Sequence, residues 1–239
     1  MTKPLIGKLA VVTGGTRGIG QAIALRLSAD GARVLTTGTR PDGSPPPGCD
    51  YRAVDFADNA ATRAFAAELG RLGPDILVNN AGVNQNAPFA EIDPSQFLRI
   101  QKVNVEAPFL LCRAVIPGMK AKGWGRIVTV SSIWGKISRA GRGAYSASKF
   151  AVDGMTAALA AEVAELGILA NCIAPGFIDT ELTRGILGPD GIREVTRQVP
   201  LRRLGNVEEV AAFVAWLAGP ENTYISGQNI AIDGGFTRV

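Results

Sequence analysis

Residues 9–29 read LAVVTGGTRGIGQAIALRLSA, an apolar run that passes through a glycine-rich turn directly into a helical pattern. Gly14, Gly18 and Gly20 let the backbone turn sharply, and the first turn of the helix offers free N–H groups and the positive end of its dipole. A plain glycine-rich turn would share this composition. The position between a strand and a helix nevertheless predicts a cradle for the pyrophosphate of a dinucleotide.

Apolar runs typical of buried strands alternate with longer helical patterns along the chain. The strands are predicted at 9–13, 34–37, 76–79, 127–131, 169–174 and 229–232, with a further run near 51–54. The helices are predicted at 18–29, 59–72, 94–122, 143–166 and 206–217. This alternation predicts an α/β fold, a Rossmann-type doubly wound parallel sheet with helices on both faces. No linker divides the chain, so we expect a single domain over residues 1–239.

Local signals refine this outline. Segment 41–50, PDGSPPPGCD, can form neither a helix nor a central strand, because proline lacks the amide hydrogen. It stands where a doubly wound sheet normally has a helix, and therefore predicts a shortened crossover on the surface. Asp93 before Pro94, and Asn206 three residues before Glu209, are typical of helix starts.

The composition excludes several classes of function. The 239 residues include no histidine, so Ser-His-Asp and Cys-His catalysis are excluded and another side chain must move any proton. Cys49, Cys112 and Cys172 lack the spacing of metal or redox motifs, so we expect no metal site and a cytoplasmic location. The formal net charge is +4, but the basic residues are dispersed and no apolar run is long enough to span a membrane. We therefore expect neither a nucleic acid nor a membrane as a partner.

The end of the second predicted strand indicates which nicotinamide cofactor is bound. An acidic residue there would bind the ribose 2′-hydroxyl of NAD and repel a 2′-phosphate. This chain instead has TTGTR at 36–40 and no carboxylate before Asp42. Arg17 and Arg40 are suited to grip a phosphate by charge-assisted hydrogen bonds, although both would also serve as solvated surface charges. The pattern favours NADP over NAD.

Tyr145 and Lys149 are the groups best placed for proton transfer. They lie four residues apart at the start of a predicted helix, so their side chains share a face. A nearby ammonium stabilises phenolate and is expected to lower the pKa of the tyrosine. Ser132 follows the predicted strand 127–131, at the edge where ligands bind in open α/β sheets, and its hydroxyl suits a carbonyl oxygen. Taken singly, the four-residue spacing of Tyr145 and Lys149 could arise by chance, and Ser132 could be the cap of a helix or turn.

The chain carries a series of motifs in a fixed order: Thr13-Gly-x-x-x-Gly-Ile-Gly20, Asn79-Asn80-Ala81-Gly82, Asn104, Ser132, Tyr145-x-x-x-Lys149 and Pro175-Gly176. Together they resemble the short-chain dehydrogenase/reductase family over nearly the whole chain, and its 3-oxoacyl-(acyl carrier protein) reductase-like branch most. The resemblance implies that Tyr145 gives a proton to a ketone oxygen during hydride transfer while Ser132 holds that oxygen. It also implies that Lys149 binds the nicotinamide ribose and that Asn104 supports a water relaying protons to it.

The resemblance also implies a set of cofactor-binding residues within a cofactor-binding part at about 8–130 and beyond it. These are Gly14, Thr16, Arg17, Gly18, Ile19, Gly20, Arg40, Asp55, Phe56, Asn80, Ala81, Gly82, Tyr145, Lys149, Pro175, Gly176, Ile178 and Thr180. Segment 177–200, with weakly helical patches, is implied to be a mobile substrate lid. Substrate contacts are expected from Asn84, Ser132, Trp134, Phe177 and Ile186, with burial in the core as the alternative for Trp134 and Phe177.

These expectations lead to an NADPH-dependent carbonyl reductase, or alcohol dehydrogenase in the reverse direction (EC 1.1.1.-), acting on a free small molecule. Reduction of a 3-oxoacyl group on acyl carrier protein is the alternative, although residues 162–166 are acidic where a carrier would favour basic groups. A non-catalytic NADP sensor is a second alternative. The helix at 143–166 is small-sided and apolar over much of its circumference, so it needs cover on two sides. The family resemblance implies that this helix pairs between subunits of a homo-oligomer, usually a tetramer, and burial within one chain is the alternative.

A basic group near the predicted site bears on the substrate. Lys136, Arg139 and Arg142 lie between Ser132 and Tyr145 without any acidic residue. They would attract an anionic ketone, or they belong to a solvated loop or a subunit contact.

Overall fold

The computed structural model describes residues 3–239, whose strands form one parallel sheet. In chain order the strands are β1 (Leu9–Val12), β2 (Arg33–Gly38), β3 (Cys49–Ala53), β4 (Ile76–Asn79), β5 (Gly125–Val130), β6 (Ile168–Pro175) and β7 (Asn229–Ile232). Their spatial order is β3-β2-β1-β4-β5-β6-β7, and every neighbouring pair is parallel. The direction of winding reverses between β1 and β4, so the predicted Rossmann-type doubly wound sheet is confirmed.

Helices cover both faces of this sheet. They are α1 (Gly18–Ala29), α2 (Asn59–Leu72), α3 (Pro94–Gln101), α4 (Ala107–Lys122), α5 (Gly143–Val163), α6 (Glu181–Gln198) and α7 (Val207–Ala218). Val12 packs in the apolar layer formed with α1 and α7, whereas its neighbour Val11 packs in the opposite layer with α2, α4 and α5. This alternation follows from the two-residue period of a strand. None of the helices in residues 3–239 is long and apolar enough to cross a membrane.

The predicted helix 94–122 is divided in the structure. After α3, a single π-turn at Lys102–Glu106 leads into α4. A π-turn accommodates one extra residue in a helix and is frequently found at functional positions. The apolar pattern continues on both sides of the turn, so periodicity alone does not reveal it. The turn carries Asn104, one of the predicted catalytic residues.

The predicted lid, 177–200, is more regular than its sequence indicated. Thr180 caps α6, accepting a hydrogen bond from the Thr183 amide at 3.1 Å. Gly188 interrupts the helix with φ 62° and ψ 179°, just before Pro189. The glycine and proline that weakened the helical pattern therefore mark a break between two helical halves.

The other local signals agree with the structure. The proline-rich crossover between β2 and β3 forms no helix in the described residues, although β3 begins at Cys49, two residues earlier than expected. Asp93 accepts a hydrogen bond from the Ser95 amide at 2.7 Å, as a helix cap does. Asn206 and Glu209 form a capping box at the start of α7.

A buried carboxylate, that of Asp75, joins secondary-structure elements at the amino ends of the strands. Asp75 accepts hydrogen bonds from the Leu9 amide at 2.9 Å and from Lys122 Nζ at 3.0 Å, and Lys8 Nζ lies 3.6 Å away. Burial alone would raise the pKa of Asp75, but these hydrogen bonds and the two lysine charges outweigh it, so the pKa lies below its ordinary value of 3.8. Asp75 thereby ties β1 to the end of α4.

Replacing Asp75 with Asn is expected to lower the free energy of unfolding by about 2 kcal/mol at pH 7, because the charged acceptor is lost. Since folding lowers this pKa, the stabilisation is present above the ordinary value of 3.8 and is lost as pH falls through the folded-state pKa. Urea unfolding of both proteins at pH 7 and pH 3 measures this. An equal difference at the two pH values would contradict the assignment.

Candidate active site

A cavity of about 850 Å³ opens at the carboxyl ends of the strands, where the winding of the sheet reverses. This is the crevice in which doubly wound sheets bind ligands. All of the residues predicted to bind the cofactor line it. The structure therefore brings together residues that are as far apart in the sequence as Gly14 and Thr180.

The glycine loop approaches the neighbouring strand end very closely. Thr13 Oγ1 accepts hydrogen bonds from the amides of Asn80 and Ala81, each at 2.9 Å. Asn80 Nδ2 donates in return to the carbonyl oxygens of Thr13 at 2.8 Å and Gly14 at 3.0 Å. A Cβ on Gly20 would collide with the Gly14 carbonyl, so only glycine permits this packing.

The same loop fits a pyrophosphate. Gly14 and Gly18 have φ values of 63° and 54°, in the left-handed region that favours glycine. Arg17, the N-cap of α1, makes no side-chain cap bond within the described residues, which leaves the first amides of the helix for phosphate oxygens. A cradle with glycine at the points of closest approach suits the dinucleotide that the sequence predicted.

The far end of the cavity is formed by residues that include several missed by sequence reasoning. Arg17 and Arg40 lie there as predicted, together with Asp42, Ser44 and Tyr51. The Tyr51 hydroxyl donates to the Arg40 carbonyl oxygen, which fixes the proline-rich crossover over this end. The signal for these additional lining residues in the sequence was the shortened crossover predicted at 41–50.

Ser132, Tyr145 and Lys149 meet at the opposite end of the cavity. Ser132 Oγ accepts a hydrogen bond from the Trp134 amide at 3.2 Å, and Ser132 lines the same cavity as Tyr145. Lys149 Nζ lies 5.5 Å from the centroid of the Tyr145 ring and donates to the Val130 carbonyl oxygen at 2.8 Å. The helix spacing and the strand end thus place a phenol, a hydroxyl and an ammonium in one site.

Burial determines how these groups titrate. Burial raises the pKa of Tyr145, although the nearby Ser132 hydroxyl and the charge of Arg142 act in the opposite direction. Burial lowers the pKa of Lys149 to about 8. The tyrosine pKa therefore differs from the lowered value expected from the sequence, because the ammonium is itself buried and turned toward Val130. The group that titrates near neutral pH is the lysine.

Asn104 reaches the site from the π-turn. Its Oδ1 accepts from the Val83 amide at 2.8 Å, and its Nδ2 donates to the Val83 carbonyl oxygen at 2.9 Å and to Ser148 Oγ at 3.0 Å. A Cβ on Gly82 would lie 3.4 Å from Asn104 Oδ1 and 3.7 Å from Lys149 Nζ. Asn104 therefore fixes the turn at 82–83 beside the lysine.

The predicted substrate residues separate into two groups. Asn84 and Ser132 line the cavity, and the side-chain carbonyl of Asn84 is buried without a hydrogen-bond partner in the described chain. Trp134, Phe177 and Ile186 are not among the lining residues of the part described.

The alternative of burial in the core holds for the two aromatic residues. Trp134 and Phe177 stack edge to face at 6.3 Å within an apolar cluster beneath α6. Ile186 is 46 % exposed on α6. The structure therefore places these three side chains outside the lining of the cavity, and their contact with a substrate stays a prediction.

The basic group near the site is also divided. Lys136 Nζ donates to the Asn229 carbonyl oxygen at 2.8 Å, away from the cavity. The guanidinium carbons of Arg139 and Arg142 lie 5.1 and 5.2 Å from the ring centroid of Trp134. Arg139 is exposed, whereas Arg142 is buried.

A tyrosine and a lysine beside a glycine-rich loop at the switch point of a doubly wound sheet are typical of one class of protein, the nucleotide-dependent oxidoreductases. Comparisons with known proteins place the chain within this class. The family model described as enoyl-(acyl carrier protein) reductase matches residues 14–237. The 3-oxoacyl-[acyl-carrier-protein] reductase FabG of Vibrio cholerae is 39% identical over 243 residues, covering 97% of this chain and 98% of that protein. The chain belongs to the short-chain dehydrogenase/reductase family.

Solved structures agree with this assignment. The chain is similar to a protein of Beutenbergia cavernae assigned as an NAD(P)-dependent gluconate 5-dehydrogenase, with bound NADP, at a TM-score of 0.93 and 34% identity over the whole of both chains. It is also similar to a gluconate 5-dehydrogenase of Burkholderia cenocepacia in complex with NADP and tartrate. In that case the TM-score is 0.91 and the identity 30%, over 99% of this chain and 98% of the other.

Proposed function

We propose that the chain interconverts a ketone and a secondary alcohol with NADP, acting as a carbonyl reductase when NADPH is supplied. The observation that carries this proposal is that Ser132 and Tyr145, with Lys149 Nζ 5.5 Å from the centroid of the Tyr145 ring, line one end of a dinucleotide cavity. Ketone reduction needs a proton donor and a hydrogen bond that stabilises negative charge on oxygen. The pair supplies both. A non-catalytic sensor of NADP would need neither.

Several residues fit NADP. The glycine loop and the start of α1 suit the pyrophosphate, and Arg17 and Arg40 suit the 2′-phosphate at the far end. Asp42 adds one carboxylate at that end. The NADP named for both gluconate 5-dehydrogenases supports the same choice.

The roles of the side chains follow from their bonding. When bound, NADPH supplies the hydride that reduces the ketone carbon. Tyr145 donates its proton to the ketone oxygen, and Ser132 donates a hydrogen bond to that oxygen, since its own lone pair already accepts from Trp134. Lys149, with a pKa of about 8, is largely an ammonium at neutral pH and returns a proton to the tyrosine. Asn104 positions the turn beside it.

Two substrate classes are candidates. The name of the Vibrio cholerae relative supports a 3-oxoacyl group on acyl carrier protein, and supports it better than a free small carbonyl compound. The basic residues at the end of α4 and the start of β5 favour the free compound, because two of them are already engaged within the chain. Lys122 pairs with Asp75, and Arg126 is buried and donates to backbone carbonyl oxygens.

Tyr145→Phe is expected to lower the rate of NADPH oxidation with a ketone by about 100-fold or more, because the proton donor is removed. NADPH absorbance is followed with simple ketones, 3-oxoacyl thioesters and carrier-bound 3-oxoacyl groups. NADPH binding, measured by calorimetry, is expected to be retained. Tyr224→Phe makes the same chemical change at an exposed position and should leave the rate unchanged. Undiminished turnover by Tyr145→Phe would contradict the mechanism.

The reductive rate is expected to be constant below about pH 8 and to fall above it, because Lys149 loses the proton that it returns to Tyr145. The measurement is kcat/KM between pH 6.5 and 9.5 at saturating NADPH. In Lys149→Met the residual rate should lack this inflection. A profile that is flat in the wild type, or unchanged in the variant, would exclude the lysine as the titrating group.

Replacing Arg17 and Arg40 together with Ala is expected to weaken NADP binding by roughly tenfold or more, because charge-assisted bonds to the 2′-phosphate are lost. NAD binding should be nearly unaffected. Asp42→Asn is the control, because it removes a negative charge, rather than a positive one, from the same end of the cavity. This variant should not weaken NADP binding. Equal losses for NADP and NAD would overturn the assignment.

A further inference from the structure

The crossover between β2 and β3 turns back on itself directly after Arg40. The Gly43 amide donates to the Arg40 carbonyl oxygen at 3.1 Å, which closes a β-turn at residues 40–43 with proline in its second position and glycine in its fourth. Because Pro41 follows it, Arg40 is also biased toward extended backbone. The turn therefore fixes the backbone from which the Arg40 side chain leaves, at the rim of the cavity.

Tyr51, on the edge strand β3, holds this turn against the sheet. Its hydroxyl donates to the same Arg40 carbonyl oxygen at 2.5 Å. Burial and the charge of Asp42 both raise the pKa of Tyr51, so the phenol stays protonated and remains a donor at neutral pH. In the described part of the chain, no other hydrogen bond reaches residues 40–43 from outside the turn.

Two glycines make room for the Tyr51 hydroxyl. A Cβ on Gly38, at the end of β2, would lie 2.8 Å from the hydroxyl oxygen, and a Cβ on Gly43 would collide with it. Neither glycine has a positive φ, so the backbone at both positions would accept other residues. The contact with Tyr51 is therefore what excludes a side chain at these positions, and the phenol is closely packed as well as hydrogen-bonded.

The same hydroxyl lies beside the glycine loop. A Cβ on Gly38 would also lie 3.0 Å from Thr16 Cγ2, so Tyr51 and Thr16 meet over the end of β2. Both line the cavity, as do Arg17 and Arg40. In residues 3–239, neither arginine forms an ion pair with a carboxylate. Their charges are therefore available to a phosphate at this end of the cavity.

We propose that Tyr51 is a positioning residue for the choice of cofactor and acts through Arg40. By holding the Arg40 carbonyl oxygen, its hydroxyl keeps the turn at residues 40–43 closed and Arg40 at the cavity, where the 2′-phosphate distinguishes NADP from NAD. The shortened crossover has no helix to fix this arginine, and the phenol fixes it instead. The inference rests on the proposed placing of the 2′-phosphate at Arg17 and Arg40.

The first test measures binding by calorimetry with two pairs of ligands that differ in the 2′-phosphate. The pairs are NADP with NAD, and adenosine 2′,5′-bisphosphate with adenosine 5′-monophosphate. Tyr51→Phe removes the hydroxyl and keeps the ring. It is expected to weaken binding of both 2′-phosphate ligands by roughly five- to tenfold, the effect of one hydrogen bond, and to leave the other two ligands unchanged.

Tyr224→Phe is the matched control, since it removes a hydroxyl at a position that is 96 % exposed. It is expected to change the binding of none of the four ligands. Equal losses in Tyr51→Phe for ligands with and without the 2′-phosphate would mean that Tyr51 only supports the fold, and would overturn the proposal. Wild-type binding of NADP by Tyr51→Phe would overturn it as well.

The second test asks whether Tyr51 acts through Arg40. In an Arg40→Ala background, Tyr51→Phe should cause little further loss of NADP binding, because the group that it positions is absent. A full additional loss in the double variant would contradict the proposal. Gly43→Ala displaces the turn from the phenol while both groups remain, and should reproduce the selective loss of NADP binding. Wild-type binding of NADP by this variant would also contradict it.

These measurements do not depend on turnover, so the two proposals can fail separately. If no ketone is reduced while Tyr51→Phe selectively loses NADP binding, the proposed function fails and the positioning role of Tyr51 stands. If ketones are reduced with NADPH while Tyr51→Phe keeps the wild-type preference for NADP, the positioning role fails and the proposed function stands.

Discussion

The hydroxyl of Thr13 holds together the two strand ends on which the site depends. This hydroxyl accepts hydrogen bonds from the backbone amides of Asn80 and Ala81, which follow β4. In the other direction, Asn80 Nδ2 donates hydrogen bonds to the carbonyl oxygens of Thr13 and Gly14. β1 and β4 are the strands between which the winding of the sheet reverses. A crevice forms at any such reversal, but only a loop pulled this close to its neighbour presents backbone amides at fixed positions.

Burial then determines the proton chemistry. A chain without histidine lacks a side chain that ordinarily titrates near neutral pH. Desolvation lowers the pKa of Lys149 to about 8, while it raises that of Tyr145. Desolvation therefore favours the protonated, neutral form of Tyr145 and the deprotonated, neutral form of Lys149. The phenol of Tyr145 stays protonated at neutral pH, and Lys149 becomes the group whose charge changes just above it.

The features predictable from the sequence are those with a local cause. The glycine loop, the four-residue spacing of Tyr145 and Lys149 and the capping box at Asn206 each depend on neighbours within a few positions. The strand alternation also specifies the sheet, because buried parallel strands are apolar on both faces.

The features that the sequence did not show depend on tertiary contacts. The π-turn is held by bonds from Asn104 to Val83, twenty-one positions away, which no helical period encodes. Trp134 and Phe177 pack against each other rather than toward the cavity, and only their mutual distance reveals it. The direction of the Tyr145 pKa likewise follows from burial, which spacing does not supply.

The basic residues between Ser132 and Tyr145 illustrate the same distinction at the level of substrate choice. In the sequence, Lys136, Arg139 and Arg142 form one positive group, yet the structure turns the first toward β7, exposes the second and buries the third. Net charge along the sequence therefore does not distinguish these three residues, because each owes its surroundings to a different tertiary contact. Lys136 is held by a backbone carbonyl of β7, whereas Arg139 and Arg142 lie near the ring of Trp134.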